Sequence, residues 1–254
     1  MKKRLFITLI AFLMVLMLAA CGSSSGTGDQ EPAEQPESEE TADVEEPEAV
    51  HPYAWLGLQD IPECDYLDAL ASNHYYKESD IYIKGLSYVS KEINARDGID
   101  TYKENENSLV YSIGGKIVSI NNSSKSYMEE DMSDMAEDHQ AQFDEAMEKG
   151  TNLYRRSFVG TGSEAIPIYG EQEGDDTEYE YYEYSYPDFE ASGDNYSEVE
   201  RFYLKDGNVF AVYTKITMGE TETESTEIIK KMTGDIPEGT FDIPDLSDYE
   251  KIEY

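Results

Sequence analysis

The feature that most constrains the fold is a series of short segments in which apolar and polar residues alternate, each bounded by turn residues. Alternation of this kind predicts β-strands that protect one face from water. The predicted strands cover residues 81–89, 109–113, 117–120, 152–161, 177–186, 199–204, 209–218 and 222–232. Gly114-Gly115 and Asp206-Gly207 lie between consecutive strands and are typical of tight hairpin turns. We therefore expect antiparallel strands in a single curved sheet.

The segment EYEYYEYSYP carries tyrosines on both faces of a predicted strand. Because side chains alternate along a strand, the tyrosines divide into two sets. One set is Tyr179 and Tyr181, and the other is Tyr182, Tyr184 and Tyr186. A β-bulge, or a strand that passes from one environment to another, would account for both sets. We expect one set to be buried and the two sets to differ in exposure.

Two segments have helical spacing. Asp60-Ile61-Pro62-Glu63 is typical of a helix start, and the apolar residues after it predict a helix that ends near residues 73–75. The second helix is predicted over residues 131–149, followed by Gly150 at the position of a C′ glycine. Its apolar stripe consists of Met132, Met135, Ala136, His139, Phe143, Ala146 and Met147. This stripe either packs on the sheet or forms an adaptable, methionine-rich surface for a ligand.

Helices beside an antiparallel sheet predict the α+β fold class. The folded part is expected to be a single domain over residues 51–254, because no second linker interrupts this range. Cys64 is its one cysteine, which excludes an intramolecular disulfide within the domain. We expect Cys64 to be a partly buried structural residue.

The N-terminal segment has the pattern of an export signal. Met1-Lys2-Lys3-Arg4 precedes an apolar run over residues 5–20, which is short for a bilayer span. The run ends in Leu18-Ala19-Ala20-Cys21, which resembles the bacterial lipobox. We therefore expect residues 1–20 to be a lipoprotein signal peptide and Cys21 to carry acyl chains, palmitate among them. The predicted location is the extracytoplasmic face of the cell membrane.

Residues 21–50 are predicted to form a disordered acidic linker, since residues 22–50 contain ten acidic residues and no basic one. The whole chain has a net charge of −36, and loss of the three basic residues in the signal peptide makes it −39. A surface of this charge excludes nucleic acid as a partner, because phosphate binding requires basic side chains. The predicted contact with the membrane is through the N-terminal lipid anchor.

The chain shows no catalytic or metal-binding motif. Its three histidines are His51, His74 and His139, and they lack HExxH or comparable spacing. The segment GTGSE at residues 160–164 departs from the G-x-S-x-G pattern of a nucleophilic serine. Glu173, Asp175 and Asp176 lack the order of a calcium-binding loop, and we expect a surface loop there. We therefore predict a non-enzymatic protein without a catalytic residue, metal or cofactor.

The closing stretch IPEGTFDIP at residues 236–244, followed by DYEKI at residues 248–252, resembles the ending common in LolA-like lipoproteins, the lipoprotein-carrier superfamily. The predicted order of elements is similar over residues 55–252, including hairpins built from YEYYEYSY and RFYLKDGNVFAVYTKI. The resemblance implies a curved antiparallel half-barrel with helices packed on its concave face. In some members of the family this space encloses acyl chains.

Two functions agree with these expectations. In the first, the tethered domain binds a lipid or another hydrophobic or amphipathic ligand between sheet and helices. The candidate ligand-lining residues are Met132, Met135, Phe143, Met147, Tyr182, Tyr184 and Tyr186. In the second, the domain has a filled core and acts through its surface as an envelope adhesion or protein-interaction module, with tyrosines as contact residues. The sequence does not identify the protein partner.

Overall fold

The computed structural model describes residues 50–170, 176–187, 189–191 and 194–253. Thirteen strands in this part of the chain belong to one sheet. They are β1 (His74–Ile83), β2 (Ser90–Asp97), β3 (Asp100–Asn105), β4 (Ser108–Ile113), β5 (Lys116–Asn121), β6 (Ser126–Asp131), β7 (Ser157–Ala165), β8 (Glu178–Ser185), β9 (Phe189–Ala191), β10 (Asp194–Lys205), β11 (Asn208–Met218), β12 (Thr221–Thr233) and β13 (Glu250–Lys251). The helical elements are a 3₁₀ turn (Ala54–Leu56), α1 (Asp65–Ala71) and α2 (Ser133–Lys149).

The strand order across the sheet is β13-β6-β5-β4-β3-β2-β1-β12-β11-β10-β8-β7, and β9 pairs with β10 beside this path. Pairing of β1 with β12 joins the two halves of the sheet. These pairs are antiparallel, except that β13 runs parallel to β6. Within the described residues the sheet is open, since β13 and β7 stand at opposite edges.

The predicted hairpin turns are confirmed. Gly114 and Gly115 connect β4 to β5 with φ angles of 55° and 80°. Asp206 and Gly207 connect β10 to β11 with φ angles of 53° and 79°. Two consecutive residues with positive φ match the twist of antiparallel strands, so both turns hold their strands in register.

The predicted α+β class, a half-barrel with helices packed on its concave face, was wrong. The fold is largely β, because segments that were expected to be helix end or loop belong to strands. The first helix begins at Asp65, not near Asp60, and His74 already belongs to β1. Strands β2 and β3 were also missed, and β2 buries a single side chain, Ala95, so its apolar signal is weak.

Helix α2 was predicted at nearly the correct bounds, and Gly150 follows it in the left-handed conformation with φ 64°. Its apolar stripe, however, does not cover the sheet. Phe143 and Ala146 are buried, whereas Met135 and Met147 are exposed. The ring of Phe143 lies edge-on against Trp55, with 4.7 Å between centroids, a contact worth about 0.5–1.5 kcal/mol beyond area burial. The N-terminal segment therefore holds one side of the Phe143 ring, and the guanidinium of Arg96 on β2 lies 4.8 Å from the same ring centroid.

Three clusters of buried side chains form the core. The helix-side core joins the N-terminal segment and both helices to β8, β10 and β11. A second cluster lies on β2 to β5 and is packed by the C-terminal segment through Ile236, Phe241, Leu246 and Tyr249. A third is built around Tyr203. Phe202 belongs to the helix-side core and Tyr203 to the third cluster, so β10 is covered on both faces.

None of the helices in the described ranges is both long and apolar enough to cross a bilayer.

Candidate functional site

The predicted ligand-lining side chains are distributed between core and surface. Phe143, Tyr182 and Tyr184 pack in the helix-side core. Met147 lines an open groove, and Met135 is exposed. The remaining two are Met132, half-buried directly before α2, and Tyr186, which packs against an arginine side chain.

The tyrosine-rich segment is a strand, β8, but the expectation that one set of tyrosines would be buried as a whole was wrong. Tyr184 is fully buried, whereas the other four tyrosines are partly exposed. The ring of Tyr184 stands perpendicular to Phe202 at 5.8 Å and lies 5.5 Å from Phe158. Both faces of β8 carry packed aromatic side chains because the protein covers the sheet here from both sides.

On the helix-side face, Arg156 organises a cluster of rings and carboxylates. Its Nε lies 2.9 Å from Glu200 Oε2, and its Nη1 donates to the carbonyl of Leu56 at 2.9 Å. The guanidinium carbon lies 4.7 Å from the ring centroid of Tyr154 and 5.2 Å from that of Tyr186. Burial opposes the charge of Arg156, but Glu200 outweighs it, so the pKa of Arg156 is raised.

Glu198 and Glu200 share this face because they are two positions apart on β10. The hydroxyl of Tyr196 donates to Glu198, and that of Tyr186 donates to Glu200 at 2.9 Å. Burial, and then the charge of Glu200, raise the pKa of Glu198 to about 7. Glu198 can therefore hold a proton near neutral pH at a position next to Glu200. Such pairs occur in proton-transfer sites and also in structural networks.

On the opposite face, Arg201 forms a similar cluster. Its Nε donates to Glu183 at 2.6 Å and its Nη1 to Glu164 at 2.8 Å. Tyr203 also donates to Glu164, at 2.6 Å, and the guanidinium carbon lies 5.0 Å from the ring centroid of Tyr181. Each face of β8 thus has one arginine that neutralises neighbouring glutamates.

Strand β7 forms the edge of the sheet next to these clusters. Its residues Phe158 and Val159 are 43% and 57% exposed. The pairing with β8 shifts register between Phe158 and Gly160, which is a β-bulge. Two consecutive exposed apolar residues on an edge strand make β7 a candidate interaction surface.

Two open grooves lie along α2 in the described part of the chain. The first, of about 410 Å³, is lined by Val50, His51, Pro52, Trp55, Asp68, Ala71, Ser72 and Met147. The second, of about 520 Å³, is lined by Ile99, Gly114, Ser133, Ala136, Gln140, Ala141 and Asp144. Trp55, Ala71 and Met147 give the first groove an apolar wall.

Cys21, Glu173 and Asp175 lie outside the described residues. Cys64 is buried at the residue before α1. In the described ranges, no group of three or more histidine, cysteine, aspartate or glutamate side chains is placed to hold a metal ion.

Sequence reasoning missed both arginine clusters. The signal was present on β10, where Tyr196, Glu198 and Glu200 alternate and must share a face. Arg156 could not be assigned in this way, since its partners Glu200 and Leu56 are distant in sequence and meet it only in the folded sheet.

No protein-family model matches the chain, and no curated protein matches it significantly. The resemblance to LolA-like lipoproteins therefore stays a prediction.

Proposed function

We propose that the chain is a membrane-tethered, extracytoplasmic lipoprotein that is not an enzyme and that acts through its surface as an interaction module. The observation that carries this proposal is the packing of Tyr184 and Phe143, two predicted cavity-lining residues. Their neighbours are Phe202, Phe158 and Trp55, which are side chains of the protein itself. A filled core favours recognition at the surface over enclosure of a ligand.

Support for the tether comes from the N-terminal sequence. The apolar run that ends in Leu18-Ala19-Ala20-Cys21 provides the acylation site, and the acidic residues of the linker repel one another. The module would then be held at the membrane and presented to partners outside it.

Support for surface recognition comes from the exposed apolar residues of β7 and from the charge of the chain. A net charge of −36 disfavours anionic partners and accelerates encounter with cationic ones. Phe158 is 43% exposed, and phenylalanine is among the aromatic residues that are enriched at protein interfaces.

Binding of a lipid or another hydrophobic ligand is the second candidate function. The observation that favours it is the groove beside α2, where Trp55, Ala71 and Met147 provide an apolar wall. In that case the ligand would lie beside the helix and remain partly open to water.

The proposed function is tested by capture of partners from the cell envelope. Full-length protein is immobilised and exposed to detergent-solubilised envelope fractions at low salt and, in parallel, at high salt. We expect a protein or glycan partner to be retained in stoichiometric amount at low salt. Its retention should be weaker at high salt, because salt screens the attraction between charges. Recovery of no partner under either condition would contradict the interaction module.

A further inference from the structure

The two edges of the sheet differ in how well they are protected against further strands. At one edge, β13 is two residues long and pairs with Ser126 and Tyr127 of β6. After Met128, β6 ends in the exposed acidic run Glu129, Glu130 and Asp131. Short edge strands and charged side chains are the devices that prevent strand addition. This edge is therefore protected against the addition of another strand.

The opposite edge lacks these devices along its length. Strand β7 has nine residues and contains neither lysine nor proline. Its one charged side chain, Glu164, is neutralised by Arg201 at 2.8 Å. The bulge at Phe158 disturbs one end, but Gly160 to Ala165 continue in regular register with β8. Six regular residues provide about 20 Å of edge at about 3.4 Å per residue.

The backbone of β7 has hydrogen-bonding groups that can accept another strand. In an antiparallel pair, alternate residues direct their N–H and C=O groups toward the neighbour, and the others direct theirs away. Among the described residues, β7 pairs on one side alone, with β8. The groups on its outer side are a template for a strand from another molecule.

The side chains around this edge determine the chemistry of the occupant. Three residues of β7 pair with three residues of β8: Thr161 with Tyr182, Ser163 with Glu180, and Ala165 with Glu178. The side chain of Tyr182 is half-buried, and the other five are exposed. A strand added to β7 would lie about 10 Å from Glu178 and Glu180, two strand spacings away, which a lysine or arginine side chain can bridge. A second copy of this chain would instead bring a net charge of −36 against an equal charge.

We propose that β7 binds an extended segment of a partner protein, one that bears lysine or arginine at alternate positions, by adding it as a further strand of the sheet. This inference rests on the proposed function and names the surface and the partner chemistry. Backbone hydrogen bonds hold the segment, and Glu178 and Glu180 select cationic side chains on one of its faces.

The probe is a capped decapeptide of alternating valine and lysine, titrated into full-length protein in mild detergent at physiological salt. Two further peptides carry N-methyl groups on all valines or on all lysines, which removes the donors of one edge or of the other. We expect the parent peptide to bind, together with the methylated peptide whose remaining donors face β7. The methylated peptide that lacks the donors facing β7 should bind at least about tenfold more weakly. The reason is that each lost hydrogen bond weakens binding about two- to tenfold. Absence of binding by the parent peptide, or equal binding by both methylated peptides, would overturn the proposal.

Two matched variants locate the site. Val159→Lys puts a charge on β7, and Ile252→Lys makes the same change beside β13, where Ile252 is 46% exposed. Both variants change the net charge equally, so general attraction of a cationic peptide falls equally. We expect Val159→Lys to weaken binding at least tenfold more than Ile252→Lys. Equal effects, with unchanged melting temperatures, would contradict a site on β7.

Envelope capture with the same variants separates this inference from the proposed function. If wild type and Val159→Lys retain the same partner equally, the interaction module stands and the β7 site is wrong. If wild type retains nothing while the decapeptide binds at β7, the edge accepts strands but the proposed function fails.

Discussion

At the scale of single residues, aromatic and charged side chains pack on both faces of β8 and β10. Tyr184 is fully buried between Phe158 and Phe202, and Arg156 is held by Glu200 and by stacked tyrosines. The sequence predicted that the tyrosines divide between two faces. It could not predict that both faces are covered, because the covering groups come from distant segments.

Truncation of Tyr184 tests this packing. Tyr184→Ala should lower the free energy of unfolding by about 3–5 kcal/mol, by analogy with other buried aromatic residues, because it leaves a cavity. Tyr88→Ala, at an exposed tyrosine, should change it by less than about 0.5 kcal/mol. Urea denaturation measures both. Equally small losses of unfolding free energy in both variants would show that Tyr184 does not pack in the core.

The titration of Glu198 predicts a pH dependence of stability. Its pKa rises from 4.5 in the unfolded chain to about 7 in the fold, so the native state holds the proton more strongly. Stability therefore falls as pH rises from about 4.5 to 7, and Glu198→Gln abolishes this part of the loss. Between pH 5 and pH 8, the free energy of unfolding of the variant should fall by about 1–3 kcal/mol less than that of wild type.

The matched control for this variant is Glu180→Gln, which removes an exposed carboxylate on β8. Its stability should follow the wild-type pH profile. Parallel profiles for wild type and both variants would contradict the burial of Glu198 beside Glu200.

At the scale of elements, local signals predicted α2 and the two-residue hairpins well. Helical spacing and Gly150 locate α2 within two residues of its start, and the Gly114-Gly115 pair identifies the turn between β4 and β5. The position of α2 could not be predicted, because Met135 and Met147 look like core residues in sequence but are exposed. A helix whose stripe is partly exposed has the same periodicity as a buried one.

The turn between β4 and β5 also positions the start of α2. A Cβ at Gly115 would lie 2.6 Å from the Cα of Ser133, whereas one at Gly114 would meet nothing within 4 Å. Both residues have positive φ, so alanine at either costs about 1–2 kcal/mol. Gly115→Ala should cost about 1–3 kcal/mol more, through the clash with α2. Equal melting temperatures of the two variants would show that α2 is not packed against this turn.

At the scale of the whole molecule, a largely β fold is combined with a predicted lipid anchor. The antiparallel character of the sheet was predictable, since alternation and turn residues mark β4, β5, β8, β10, β11 and β12. The largely β class was not predictable, because β2 and β3 lack a continuous apolar face and join the sheet through backbone pairing. The edge at β7 likewise depends on strand order, which local sequence does not determine.

The anchor is tested by Cys21→Ser. Without the thiol there is no acylation, so the mature protein should be released from the membrane or its precursor should accumulate, as fractionation and intact mass would show. The folded part should keep its melting temperature, because residues 50–253 form their own core. Unchanged membrane retention with cleavage at another position would contradict the lipobox.

The most direct test of the central claim, that the domain acts through its surface around a filled core, is the mass of the full-length protein extracted in mild detergent. Native and denaturing mass spectra are compared, so that covalent acyl chains appear in both and a bound ligand appears in the native spectrum alone. We expect the native and the denaturing spectra to give equal masses. A lipid retained in stoichiometric amount under native conditions and released on denaturation would contradict the claim.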